Sequence, residues 1–549
     1  METRMRRTDR PIIRGSWKAA LLLLLVSGFA RGQIAESPSS PASQLTELLR
    51  RGYQMELERR WGEAMAYYED AMRQFPEEPR LRRRFDFARL HHDVVRRFSD
   101  RSFRGLLARL PVNEALDVYG EVLLKVQAHH VDAPTCKELV ERGANQLEIA
   151  LSEPAFLEGC PAADAQALDA FRQELRRAIG LCLIQSRADA CSAVAAAATL
   201  AQHRLGLPPV RVVLEFACGA ANTLDSYSTY LTPDQLAEVY SQIEGNFVGL
   251  GVELKAHGQG LLVMRVIRRS PAERAGIRAG ERIVAVEGRF TKDVPPEQAA
   301  NLLQGPAGST VQLTLADAQG QTRNVLVRRE RVEVPSIEDT QILDRNQGVA
   351  YLRITCFQKT TPQDLDAALW GLYQQQMRSL IIDLRGNPGG LLVAAVEAAD
   401  RFLERGVIVS TRGRHAQEDL TYSAHEAGTW RVPLVVLLDQ DSASAAEIFA
   451  GAIRDHRRGT IVGSRSFGKG SVQGIFPLSS TGAGVRLTTA RFYSPKGHPY
   501  NALGVQPDVQ VHQVARPFSD PAAVSSPHPS ADPVLATAVL VAQQVMAQR

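Results

Sequence analysis

Four apolar runs, Gly348 to Ile354, Ser379 to Leu384, Pro433 to Leu438 and Thr460 to Val462, alternate with stretches of helical periodicity at Pro362 to Gln376, Leu391 to Leu403 and Ser444 to Ile453. Strands this uniformly apolar cannot keep one face in water, and parallel strands need crossovers between them. The alternation therefore predicts a largely parallel sheet covered on both faces. Further strands are expected at Val407 to Thr411, Ser471 to Pro477 and Gly484 to Phe492. In open sheets of this kind chemistry gathers beyond the carboxyl ends of the strands. The turns that follow these runs are thus where reactive groups are expected.

Three of those turns carry them: Asp383-Leu-Arg-Gly-Asn-Pro-Gly-Gly390, Asp441-Ser-Ala-Ser444-Ala-Ala-Glu447, and Ser466-Phe-Gly-Lys469-Gly-Ser-Val-Gln473. A serine hydroxyl attacks only when a neighbour takes its proton. A lysine serves as that neighbour if its amine is neutral, which requires a desolvated site. Phe467, Val472 and Phe476 supply apolar surface around Lys469, and Gly468 and Gly470 allow a tight turn. A tetrahedral intermediate needs amide donors for its oxyanion. Ala445, in the first turn of a helix, offers one N–H, and the pair Gly389-Gly390 offers another. No Gly-x-Ser-x-Gly elbow and no His-Glu-x-x-His pair occurs, and His456 lies too far along its helix to act as the base.

Each element also has a plainer reading. Ser444-x-x-Glu447 is a capping box, Ser442 is a second capping candidate, Lys469 alone is a surface residue, and Asn387-Pro-Gly-Gly is a turn. Taken together and in order, however, these segments resemble the carboxy-terminal processing (tail-specific) serine peptidases. Leu224-Asp225-Ser-Tyr-Ser, Leu487-Thr-Thr-Ala and Gly504-Val-Gln-Pro-Asp508 extend the likeness over residues 220 to 512. The resemblance implies Ser444 as nucleophile, Lys469 as general base and Gln473 as the residue orienting the lysine. It also implies an oxyanion hole from the amides of Gly390 and Ala445, and neither metal nor cofactor. Asp439-Gln-Asp441 and Asp225-Ser depart from the family pattern without removing a catalytic group.

Residues 241 to 332 read as short strands around small helices, including Ser270-Pro-Ala-Glu-Arg-Ala-Gly276 and Glu297 to Leu303, and look like a circularly permuted PDZ domain. Such domains bind an extended C-terminus by strand addition. The carboxylate loop is expected at Gly249, Leu250, Gly251 and Val252, where glycines permit close backbone approach; a glycine-shaped strand entry is the plainer reading.

Upstream, residues 101 to 240 read as helical, and Gly52, Ala64, Tyr68, Ala71 and Pro76 have tetratricopeptide-like spacing within 34 to 100. Six basic residues from Arg4 to Lys18 precede an apolar run from Ala19 to Ala30, the pattern of a signal peptide or N-terminal anchor over 1 to 33. Residues 513 to 549 read as a Pro/Ser-rich linker and a final apolar helix. A net charge of +4 over 549 residues gives no reason to expect nucleic acid, and the ten arginines between 80 and 109 read as a solvated helix face. Five of the six cysteines cluster between 136 and 218, where export would permit bridges or leave buried thiols.

The chain is thus expected to be a multidomain α+β protein: N-terminal helices, a PDZ domain, and an α/β peptidase core (333 to 512). Its expected function is that of an exported, periplasmic serine endopeptidase, anchored or free, acting on proteins with apolar C-termini. The repeat-like region would offer a site for a protein partner. The rival is a catalytically silent PDZ and repeat adaptor that binds protein tails.

Overall fold

The computed structural model describes residues 41–160, 164–257, 260–293, 302–303, 305–511 and 532–548. The expected signal or anchor at 1 to 33, the linker from 513 to 531 and most of the helix Glu297 to Leu303 lie outside these residues. The chain divides into two compact units at residues 82 and 83, each described by itself.

In the first unit the helices Pro41–Leu57 and Trp61–Gln74 pack together. Gly52 abuts the Tyr68 ring, where a Cβ would come within 2.3 Å. The Tyr68 hydroxyl donates to Glu56 Oε1 at 2.6 Å, and Ala64 and Ala71 are buried. The small residues are there because the helices approach closely.

The second unit contains the core, a six-stranded sheet whose strands lie in chain order. They are β1 (Ile337–Asp344), β2 (Val349–Ile354), β3 (Ser379–Asp383), β4 (Leu434–Leu438), β5 (Thr460–Gly463) and β6 (Val509–Gln510). β1 runs antiparallel to β2 and every other pairing is parallel. Side chains alternate across the sheet as the period of two requires. Ala350, Leu352, Leu380, Ile382, Leu434 and Val436 pack under the helices α1 (Thr361–Gln374), α2 (Leu392–Asp400) and α3 (Ala445–Asp455). Val349, Tyr351, Ile381, Val435 and Leu437 meet α4 (Pro533–Ala547) on the other face. α4 begins at Asp532, whose carboxylate accepts from the N–H groups of Val534 and Leu535 and pairs with Arg385 at 2.8 Å.

One sequence expectation needs dividing. Val407–Gly413, Ser471–Pro477 and Gly484–Tyr493 do not join the parallel sheet; they form a separate antiparallel sheet with Thr421–Ser423 and Thr229–Leu231. The last strand comes from the region read as helical. Apolar alternation shows that a segment is a strand but not which sheet it joins. The helical region, residues 101 to 222, packs a contiguous core that continues into Val485 and Leu487 of this second sheet.

The PDZ sheet runs Val252–His257, Gly260–Val266, Arg282–Val286, Thr310–Ala316, Thr322–Arg328, with Val252–His257 at its edge. The segment from Phe247 to Leu254 alternates like one strand but is broken at Leu250 and Gly251; Asn246–Gly249 pairs with Glu330–Glu333. Gly251, at φ +83°, lies so close to Ser270 that a Cβ would come within 2.2 Å. All six cysteines are free thiols.

Candidate active site

The turns after β3, β4 and β5 converge. Ser444 precedes α3 with φ 56° and ψ −114°, a conformation that a residue with a Cβ adopts only when its surroundings impose it. Those surroundings are identifiable. The Ala443 N–H donates to Asn387 O at 2.9 Å, and Ser442 Oγ donates to Leu384 O at 2.8 Å. The Ser444 N–H donates to Glu447 Oε2 at 2.8 Å.

Asn387 is fully buried and shapes the glycine turn: its amide donates to Ile354 O, and its Oδ1 accepts from the Gly389 N–H, both at 2.8 Å. Gly389 and Gly390 have φ of 105° and 136°. A Cβ on Gly389 would lie 2.7 Å from Ser444 Cβ and 3.0 Å from Ala445 N; one on Gly390 would lie 2.0 Å from Phe357 O. Phe357 holds the turn from behind, donating to Gly389 O at 2.8 Å and accepting from the Leu391 N–H at 2.7 Å. Among the described residues neither the Gly390 N–H nor the Ala445 N–H makes a hydrogen bond. Two unspent donors therefore flank the serine.

Lys469 arrives on the turn after β5. Glu447 accepts from the N–H groups of Gly468 (2.7 Å) and Lys469 (2.9 Å) and from Ser466 Oγ (2.6 Å). With the Ser444 N–H, one buried carboxylate thus gathers four donors and ties the serine's backbone to the lysine's. Burial pushes the Glu447 carboxyl up, against the pull of those four hydrogen bonds. On its other side the turn abuts the chain at Asn501, where a Cβ on Gly470 would lie 2.2 Å from the backbone nitrogen.

The Lys469 amine is brought down to about 8, first by burial and then by the like charge of Arg486, with Glu447 and Asp225 opposing. Nζ sits 4.8 Å from the centroid of the Tyr227 ring, a cation–π contact. Among the described residues it makes no hydrogen bond to Ser444. Arg486 is anchored by donating to Tyr227 O at 3.1 Å. Asp225 organises that wall, accepting from Ser228 Oγ and N–H (both 2.7 Å) and from the Tyr227 N–H (2.6 Å), with His130 Nε2 at 3.0 Å. Burial works against the Asp225 carboxylate, but hydrogen bonds from His130 and Ser228 hold its carboxyl well below the usual range. Gln473 is turned elsewhere: its amide donates to Ser471 O at 3.1 Å and Ser471 Oγ at 2.9 Å.

The structure thus brings Ser444, Ala445, Gly390 and the Lys469 turn together and leaves Gln473 beside Ser471. Sequence reasoning missed Glu447 as more than a cap, Asn387 as more than a turn residue, and the Tyr227–Arg486 wall entirely. The signal for the wall was present in the segment from Leu224 to Ser228, which carries no reactive-looking pattern of its own. Of the expected carboxylate loop, Leu250 is buried and its carbonyl accepts from the Ala272 N–H at 2.8 Å, while Gly251 O accepts from the Ile267 N–H at 2.9 Å.

Residues 348–511 match the model of peptidase family S41, and residues 262–317 that of the PDZ domain. The chain is 36% identical over 302 residues to a carboxy-terminal-processing protease of Bartonella bacilliformis, covering 54% of this chain and 68% of that one. It is 36% identical over 292 residues to a carboxyl-terminal-processing protease of Picosynechococcus, covering 53% and 70%. Among solved structures, a photosystem II D1 C-terminal processing protease aligns over 75% of this chain and 95% of its own, at 26% identity and a TM-score of 0.39.

Proposed function

We propose, because this chain belongs to the carboxy-terminal-processing proteases of peptidase family S41, that it is an exported endopeptidase in which Ser444 is the nucleophile and Lys469 its base. The observation that carries the assignment is Glu447, whose one carboxylate binds the backbone N–H of both residues and so holds them in one frame. Neutral Lys469 takes the Ser444 proton as Oγ attacks the scissile carbonyl. The N–H groups of Gly390 and Ala445 receive the oxyanion. The lysine then protonates the leaving amine and activates the water that releases the acyl group from Ser444. For this to happen Nζ must leave the Tyr227 ring and reach the serine hydroxyl.

Substrate choice falls to the PDZ domain, whose edge strand Val252–His257 is available for strand addition. We assign to it apolar C-terminal tails, with the loop Gly249 to Val252 receiving the carboxylate. The basic and apolar N-terminus supports export to the periplasm, with or without retention as an anchor. The helix pair at 41–74 is offered as a repeat-like site for a protein partner.

A serine-directed fluorophosphonate is the direct test. It is expected to label the wild type at Ser444, read by mass spectrometry of peptides, and not Ser444→Ala. Labelling at another serine, or none under conditions that support peptide cleavage, rejects the assignment. A silent adaptor would bind tails and never label.

The pH profile is a second expected result. The active form is the neutral amine, so kcat/KM should climb tenfold per pH unit below about 8 and level off above it. Stopped initial rates on a short apolar peptide check this. A rate that falls as pH rises through that range contradicts a lysine base.

A further inference from the structure

Outside the catalytic turns, the core carries a cavity of about 640 Å³, lined by Asp366, Trp370 and Tyr373 of α1, by Asp400 and Arg401, and by Trp430. Two large rings stand half in water at this cavity: Trp370 is 58% exposed and Tyr373 56%. The rings stand nearly perpendicular to one another: Trp370 and Trp430 at 70° with centroids 5.2 Å apart, Trp370 and Tyr373 at 90° and 5.8 Å, Tyr373 and Trp430 at 68° and 5.9 Å. Such a corner offers no single flat platform of the kind a sugar ring stacks on. A cation seated against whichever ring faces the edge-to-face packing leaves open, most of all on the exposed Trp370 and Tyr373, would lie within the roughly 6 Å reach of a cation–π contact.

The polar lining narrows the choice. Asp366, Asp400 and Arg401 leave the cavity one negative charge in excess. Their hydrogen-bonding positions are largely committed. Both Asp366 oxygens accept from Arg401, at 3.1 and 3.0 Å, and Asp400 Oδ1 accepts from the His425 N–H at 2.6 Å with His425 Nδ1 3.2 Å from Oδ2. A guanidinium or primary ammonium ligand would have to compete for these oxygens. A cation without donors need not: it requires only ring faces and a negative field. Arg401 is itself held in place, as its carbonyl accepts from the Trp430 N–H at 2.7 Å.

We propose that this cavity binds an alkylated ammonium group, a quaternary amine of the choline or betaine type, independently of proteolysis. The occupant's source is either a free small molecule or a lipid headgroup, and the shared chemistry is the methylated cation.

The test is tryptophan fluorescence of the full chain titrated with choline chloride and, in parallel, with its neutral isostere 3,3-dimethylbutan-1-ol. Saturable binding of choline, at least roughly fivefold tighter than the alcohol and weakened by a similar factor in Trp370→Ala and in Asp366→Asn, is the expected result. Trp370 is exposed, so its replacement should leave the fold and peptide hydrolysis unchanged. Phosphatidylcholine vesicles then distinguish the sources: co-sedimentation lost in Trp370→Ala assigns the headgroup, while solution binding alone assigns the free molecule. Equal affinity for the alcohol would make the cavity merely apolar and overturn the proposal. So would saturation by an N-acetylglucosamine oligomer or by arginine amide without choline binding, or choline binding untouched by Trp370→Ala.

Discussion

Lys469→Ala is expected to lower kcat/KM for a short apolar peptide by ~10⁴-fold, leaving only what substrate binding and the two backbone donors supply. Lys469→Arg should do no better, because a guanidinium does not become neutral at any pH the fold tolerates. Retention of more than about a hundredth of the wild-type rate by either variant would remove lysine from the reaction. The same residue is expected to reveal itself in stability, with opposite sign. Its folded value of about 8 lies below its ordinary 10.5. Below about 8 the amine is charged in both states, and the folded protein bears the whole penalty of burying it. Between the two values the folded state has already shed its proton and the penalty shrinks; above 10.5 it is gone. Lys469→Met should therefore be more stable than wild type at neutral pH, by of order 1–3 kcal/mol, with the advantage vanishing in alkali. Thermal melts at pH 7 and pH 10.5 check the sign. An inactive variant that is also destabilised at pH 7 would show that the lysine holds structure rather than strain.

Glu447→Ala is expected to damage both rate and fold. The variant strands the N–H groups of Ser444, Gly468 and Lys469 and the hydroxyl of Ser466. Unsatisfied buried donors cost about 1–3 kcal/mol each before relaxation, so a net loss of about 3–5 kcal/mol is reasonable. Ser444 and Lys469 would also lose the common tether of their backbones, and misplacement on the ångström scale costs ~10²-fold in rate. Glu447→Gln separates the effects. One oxygen still accepts while the new NH2 faces a donor, so stability should recover in part and the rate much less. Equilibrium unfolding and initial rates on the same samples decide it. A Gln variant with wild-type kcat would mean that Glu447 serves the fold alone.

Much of the core was legible because its signals are local. Apolar runs of strand length separated by helical stretches specify the parallel sheet and place Ser444 and the glycine turn at strand ends. The surroundings of Lys469 were not legible, for a physical reason: its neighbours Tyr227 and Arg486 lie 242 and 17 residues away along the chain, on the second sheet and its approach. No periodicity connects them. Glu447 was visible yet misjudged, since a capping residue and a clamp obey the same spacing; only the partners on the lysine's turn distinguish the two. Gln473 follows the family pattern in sequence, but its amide is turned to Ser471. The break at Leu250 and Gly251 was hidden because alternation continues through it while the chain changes sheets.

The short strand Thr229–Leu231 enters the antiparallel sheet beside Gly484–Arg486, stitching the helical region to the segment that flanks Lys469. Heritable damage will consequently not sort by proximity along the gene product. A lesion at Asp225 or Ser228 leaves Ser444 and Lys469 intact and still deforms the floor beneath Lys469, so it will masquerade as a chemical defect. The helical region from 101 to 222 is thereby bound to the same fate as the turn that carries Lys469.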